Sequence, residues 1–464
     1  MAELASTELE PADDIGGKDL AHDGSSAGPW GVMEYFVIVQ FLSPAILMLP
    51  GMQVLRMPIR VLPYAISLAL FCFLFQQRSL VGRDSIRVPG SGWLILVLFL
   101  LCAGLFHPDT ILKSGVAQLG FQLTILCPIF WTMYARVTVR QVYRIMWLCL
   151  ACNALGALMG ALQVLWPEHF LPVEFSRNLA YDYLGSLSYE GADGREIVRP
   201  PGLSDVPGGA ARGAVTASFF ALFFATERHT SRVVKLALVS VLLVSFFTLY
   251  LTQVRSSFLV LLGSAAVLAF MRMRRGEGGW SVGVVLLVVG GVALSFSLAV
   301  QVGGEQVSER YMDLAESGLL ESYRQNRGHF LNYTLNYVLW EYPMGAGLGR
   351  WGMMNSYFGE NLLVPSLWAE IQLTGWLYDG GIPMVFFYGS ALSVCFGTMY
   401  KLTLWTRSPA LAKMAEGIFC LNLITVVTSF SGPSFNEQSG MMFWFLYGLL
   451  VSATNTTCSK EDLV

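Results

Sequence analysis

The chain has 464 residues, of which 54% are hydrophobic and only 13% charged, about half the charged share of an average soluble protein. That balance excludes an ordinary soluble globule, and a net charge of −3 gives no basis for a nucleic-acid partner. Apolar runs of 16–24 residues recur along the chain, each near the ~20 residues that a helix needs to cross a bilayer. Lipid leaves backbone groups no partner outside a helix or a closed barrel, and the strand alternation of a barrel is missing. The fold class is therefore an all-α polytopic membrane protein.

In chain order, residues 1–30 carry Glu3, Glu8, Glu10, Asp13, Asp14, Asp19 and Asp23 among Gly, Ser and Pro. They read as a disordered tail rather than a signal peptide, because no basic segment precedes the first apolar run. About twelve transmembrane helices are expected over 31–454, at 33–50, 59–76, 91–107, 111–133, 143–166, 208–226, 233–251, 256–271, 280–302, 377–400, 412–430 and 440–454. Residues 455–464 form a second short tail. Seven of the eight cysteines, at 72, 102, 127, 149, 152, 395 and 420, fall in these runs and Cys458 in the last tail. They read as small buried hydrophobes, the Cys149–Cys152 spacing included.

Basic residues alternate with the runs. Five short connections hold Arg78, Arg83, Arg87; Arg136, Arg140, Arg144; Arg228, Arg232, Lys235; Arg272, Arg274, Arg275; and Lys401, Arg407, Lys413. The positive-inside rule then puts both termini in the cytoplasm. Two long loops, about 167–207 and 303–376, face outward, and the second contains short amphipathic helices such as the one bearing Leu331, Leu335, Val338 and Leu339. Apart from Lys113 at a span edge, the outward basic residues are all arginine: Arg56, Arg60, Arg177, Arg195, Arg199, Arg212, Arg255, Arg310, Arg324, Arg327 and Arg350. Guanidinium stays charged and matches phosphate oxygens two at a time. Partnership with the loop acids, such as Glu190, Asp193, Glu196, Glu316 and Glu321, is the competing role.

Three stretches concentrate this chemistry. Arg199-Pro200-Pro201-Gly202 leads through Asp205 into a helix start, where free N–H groups and the dipole favour an anion. Thr252-Gln253-Val254-Arg255-Ser256 sets an arginine at the outer end of a helical hairpin, a costly place for charge. Tyr323-Arg324-Gln325-Asn326-Arg327-Gly328-His329 precedes a turn with Pro343 and Gly345, Gly347 and Gly349. Arg324 and Arg327 are spaced to share a helix face. The glycines form no dinucleotide loop, since no βαβ unit surrounds them.

These motifs, in this order, resemble the O-antigen polymerase and O-antigen ligase superfamily of bacterial envelope glycosyltransferases. The resemblance runs over about residues 90–450 and rests on the arginine with Gly-Leu-x-x-x-Pro (199–207), Thr-x-x-Arg-Ser before an apolar helix (252–270), and Arg327 with Tyr-Pro-x-Gly-x-Gly-x-Gly (342–349). It implies a lipid-diphosphate-linked glycan donor held by Arg199, Arg255 and Arg327, with Arg324 beside them, and Gly202, Gly345, Gly347 and Gly349 shaping the loops. It also implies inverting transfer to a glycan acceptor without metal or cofactor, and work alongside export proteins such as a chain-length regulator. Members carry a His-Asn pair before the span that follows the large loop; this sequence reads Pro365-Ser366-Leu367-Trp368-Ala369-Glu370 there.

The residues agree in outline. Displacing a diphosphate needs its growing charge stabilised and an acceptor hydroxyl activated. With no metal motif, arginine supplies the charge, and the outward bases are His329, Glu370 and Asp205. Trp351, Trp368 and Trp376 could stack on sugars or anchor the interface. The expected activity is polymerisation of undecaprenyl-diphosphate-linked repeat units of a surface polysaccharide. The alternatives are ligation of the glycan to lipid A-core or protein, and a polysaccharide or lipid transporter or flippase, which would show polar or broken spans near the midplane.

Overall fold

The computed structural model describes residues 30–461 apart from 82–85, 172–187, 205, 228–229, 277 and 360–363. Asp205 and Arg177, and the tail at 1–29, lie outside the described residues. The structure is almost entirely helical, and each of the twelve expected runs falls on a helix. Eight of the helices are long and apolar enough to cross a membrane, and three more, at 32–48, 91–104 and 210–225, are apolar but shorter. The protein is thus a multi-pass helical membrane protein by length and composition.

The first part of the bundle consists of α1 (Val32–Leu42), α2 (Arg56–Val81), α3 (Ser91–Gly104), α4 (Leu112–Thr132), α5 (Val139–Leu165), α6 (Ala210–Ala225), α7 (Arg232–Thr252), α8 (Arg255–Arg274) and α9 (Gly278–Gly303). Polar caps set several starts. The Thr138 hydroxyl accepts from the Gln141 N–H at α5, and the Ser231 hydroxyl from the Val234 N–H at α7, each satisfying a donor that the first turn leaves open. Helix α6 is apolar on all sides and is buried along nearly its whole length, as such a helix must be. Its Phe219, Phe220, Phe223 and Phe224 fill the centre of the bundle. Beside it, Trp131 packs between Phe36 and Phe445, each ring 5.4 Å away.

Beyond α9, the long segment folds into α10 (Glu305–Ser317), α11 (319–341) and α12 (Gly352–Phe358). Helix α11 contains two widened π turns, Arg324–Gly328 and Thr334–Val338. They change the buried stripe expected from spacing. Thr334 and Val338 are buried, Leu331 and Leu339 are half-buried, and Leu335 is 45% exposed. The extra residue in each π turn rotates the next turn away from the 3.6 period. The chain ends with α13 (Gln372–Trp405), α14 (Pro409–Thr428) and α15 (Gln438–Glu461). One small element is not helical: strands β1 (Ser188–Glu190) and β2 (Glu196–Val198) pair antiparallel, Tyr189 opposite Ile197.

Candidate functional site

Most of the outward arginines are occupied. Arg195 pairs with Asp193 at 2.5 Å, Arg212 with Glu437, and Arg324 loosely with Glu321 at 3.9 Å. Arg56 and Arg60 are engaged as well. Arg350 is buried and donates to the carbonyls of Ala346 (2.7 Å) and Pro365 (3.3 Å), with Asp109 3.5 Å away. Arg327 is bound to Glu370, and its guanidinium lies over the Phe330 ring, 5.8 Å from its centre. Glu370 also accepts from the Trp368 indole at 3.0 Å. The widened turn at 324–328 explains why Arg324 and Arg327 part: three residues no longer return to one face.

Among the described residues, Arg199 and Arg310 form no ion pair with a carboxylate, and Arg255 has only the loose contact to Asp313 at 3.9 Å. The β hairpin delivers Arg199. It is fixed by the Tyr189 hydroxyl, which donates to the Leu251 carbonyl at 3.0 Å, and by the Ala192 N–H on Val302 at 3.2 Å. Tyr189 thus ties the hairpin to the end of α7, and Ala192 ties it to the end of α9. The next turn is clamped by Gln163 on α5, whose amide both accepts from the Gly202 N–H and donates to its carbonyl at 2.8 Å. Gly202 has φ of +66°, and a Cβ there would meet the Gly156 carbonyl at 2.8 Å, so only glycine fits the clamp. Arg255 opens α8, where helix dipole and side chain carry the same sign. Arg310 comes from α10, whose Tyr311 ring packs on Tyr250 at 4.8 Å and Phe258 at 6.0 Å.

Electrostatics ties the three together. Burial lowers the affinity of Arg310 for its proton, and the fields of Arg199 and Arg255 lower it further, with Tyr311 and Asp313 opposing. Arg199 is likewise shifted down by burial, against a weaker effect of Tyr189. The Nε atoms of Arg199 and Arg310 are buried without a hydrogen-bond partner. Arg255 faces Asp313 at 3.9 Å, and that carboxylate is largely exposed. Guanidinium does not release its proton in a protein, so this repulsion and desolvation persist in the folded chain. In the sequence Arg310 is one of eleven outward arginines with nothing to single it out. Its helical neighbour Tyr311, seated between Tyr250 of α7 and Phe296 of α9, is what brings it here.

The remaining candidates belong to α11 and the turn that follows it. His329 is exposed and its ring lies 3.9 Å from Phe330. Gly345, Gly347 and Gly349 all have positive φ and form the turn after α11. Gly349 is the tightest: its carbonyl accepts from the Ser114 hydroxyl, and a Cβ would meet the Ser114 carbonyl at 2.5 Å. This turn rests on Asp379, which is 2% exposed. The Asp379 carboxylate accepts from Gln118 at 2.9 Å, from the Trp351 indole at 3.0 Å and from the Gly349 N–H. Directly after it, Gly380 and Gly381 break α13 ahead of Pro383. The break in this span thus carries a buried acid. Trp351 and Trp376 are buried and closed to any sugar, whereas Trp368 is 73% exposed. Among the described residues, no group of three or more His, Cys, Asp or Glu side chains is placed to hold a metal ion.

Neither a family model nor a curated protein matches the chain.

Proposed function

We propose that the protein is an inner-membrane glycosyltransferase that polymerises undecaprenyl-diphosphate-linked repeat units of a surface polysaccharide. Twelve spans, cytoplasmic termini and a periplasmic arginine site belong to this proposal. The observation that carries it is the cluster of Arg199, Arg255 and Arg310, in which the first two repel the third and the exposed Asp313 faces Arg255. Arg255 begins a helix long and apolar enough to span the bilayer, so the cluster sits where the headgroup of a lipid-linked substrate lies. A diphosphate offers the bidentate oxygens that guanidinium fits, and its charge grows as the glycosyl bond breaks. The motif order around Arg199 and Arg255 supports the family resemblance independently of that charge argument.

In this reading the arginines bind the diphosphate and stabilise it as leaving group. The Arg327 guanidinium is taken up by Glu370, and Glu370 is the base within reach of a side-chain partner that orients it. The transporter alternative has one supporting feature, the acid at the break in α13. That acid accepts from three donors, and among the described residues the break stands alone rather than in a pair of interrupted spans.

Deletion of the gene followed by analysis of surface glycan tests the reading. Loss of long chains with single capped units retained is the expected result. Unligated polymer accumulating on the carrier lipid would assign the ligase instead, and unaltered glycan would end both readings.

A further inference from the structure

Gln253 is the one non-glycine residue with positive φ among the described residues, at φ 56° and ψ 22°. It caps α7, a position where glycine or asparagine usually relieves the left-handed backbone. Gln253 does neither. Its N–H already closes the helix on the Tyr250 carbonyl at 3.1 Å, so the cap has no need of the side chain. The side chain is nevertheless 4% exposed, and its Nε2 is buried without a partner. A strained backbone and an unfilled donor are separate costs, and both fall on one residue. That residue lies two positions before Arg255, at the turn between α7 and α8 that sets this arginine within the field of Arg310.

From this coincidence we infer that Gln253 is a specificity-determining ligand of the anion site. Its Nε2 donates to an oxygen of the phosphate group that the three arginines attract, and the left-handed turn holds the amide in place for it. Three guanidinium groups and one neutral amide suit an extended anion with several acceptor oxygens, which is a diphosphate rather than a single phosphate or a carboxylate. The inference rests on the reading of this cluster as an anion site.

The test uses the full-length protein in lipid nanodiscs, with calorimetric titration of inorganic pyrophosphate, orthophosphate and geranyl diphosphate, and thermal unfolding in parallel. Pyrophosphate is expected to bind more tightly than orthophosphate. Gln253→Gly removes both the strain and the donor. It should unfold at the same or a higher temperature yet bind pyrophosphate about 10- to 100-fold more weakly. A residue with only a capping role cannot give that pair of results. Gln253→Glu keeps the shape and offers the arginines a carboxylate, so it should raise the unfolding temperature and abolish pyrophosphate binding.

Wild-type pyrophosphate affinity in Gln253→Gly would overturn the inference, and so would loss of stability in Gln253→Glu. If the parent protein binds no pyrophosphate, the anion site itself is refuted. If Arg310→Ala abolishes binding while Gln253→Gly does not, only the role of Gln253 fails. Tighter binding of geranyl diphosphate than of pyrophosphate assigns the ligand to a lipid carrier. Equal binding assigns it to free diphosphate, and both results retain Gln253 as the ligand.

Discussion

Helix α8 has an arginine problem at each end, and the two ends solve it in opposite ways. At the C-terminal end, Arg272 and Glu416 are each 1% exposed and pair at 2.6 Å. Arg275 reaches the same carboxylate at 3.0 Å, and Glu227 bridges Arg272 at 3.3 Å to Lys413 at 3.2 Å. The Arg272 guanidinium also lies over Phe223, 5.6 Å from the ring centre. At the N-terminal end, Arg255, Arg199 and Arg310 converge with little more than an exposed Asp313. The helix between them is 20 residues long, roughly 30 Å at 1.5 Å per residue, which is about the thickness of a hydrocarbon core. A closed ion cluster fixes helices to one another. The N-terminal cluster has an exposed carboxylate facing Arg255 where the C-terminal one has buried carboxylates, and this difference in pairing, not the number of arginines, separates the two ends.

The largest effect is expected at the closed end. Glu416→Gln leaves buried Arg272 without its nearest carboxylate and should cost about 3–5 kcal/mol, read from thermal unfolding in detergent. A variant as stable as its parent would mean that packing, not charge, closes that end. At the open end, Arg310→Ala should reduce glycan polymerisation about 100-fold, equivalent to roughly 2.7 kcal/mol of transition-state stabilisation. Its unfolding temperature should hold or rise, since an uncompensated charge has gone. If Arg310→Ala instead unfolds the protein, the contrast between the two ends collapses. Arg310→Lys sharpens it further, because charge survives while the two-pronged donor is lost.

Smaller effects mark the elements between these extremes. Asp379→Asn puts an amide nitrogen against the donors of Gln118, Trp351 and Gly349, and should cost about 1–3 kcal/mol in denaturant unfolding. Little change there would show that the turn at 345–349 stands without its acid. Arg324→Ala removes an exposed pair at 3.9 Å and should alter stability by no more than about 0.5 kcal/mol, with polymerisation intact. Lost polymerisation in that variant would extend the anion site into α11.

Much of this is legible in the sequence, for reasons that particular residues make plain. Apolar runs mark the helices because crossing lipid is a matter of local length and composition. Thr252-Gln253-Val254-Arg255 reads as a hairpin tip with a charge, and Arg199 as the approach to a helix start. What the spacing of Arg324 and Arg327 suggests, one shared face, is undone by a π turn that no local pattern announces. Arg327 and Glu370, expected as separate phosphate ligand and base, are 43 positions apart and are partners of each other. Asp379 escapes notice because a lone acid inside an apolar run gives no hint of Gln118, a donor 261 positions away.

The class of protein follows from local composition alone. Helices of membrane length, separated by short polar connections, reflect the free energy of taking a backbone and its side chains out of water, and that sum is written residue by residue. Which arginines are spent and which stay open is a different kind of property, because pairing depends on where distant parts of the chain meet. The same guanidinium is a buried ion-pair partner beside Glu416 and faces an exposed carboxylate at Asp313, and packing alone makes the distinction.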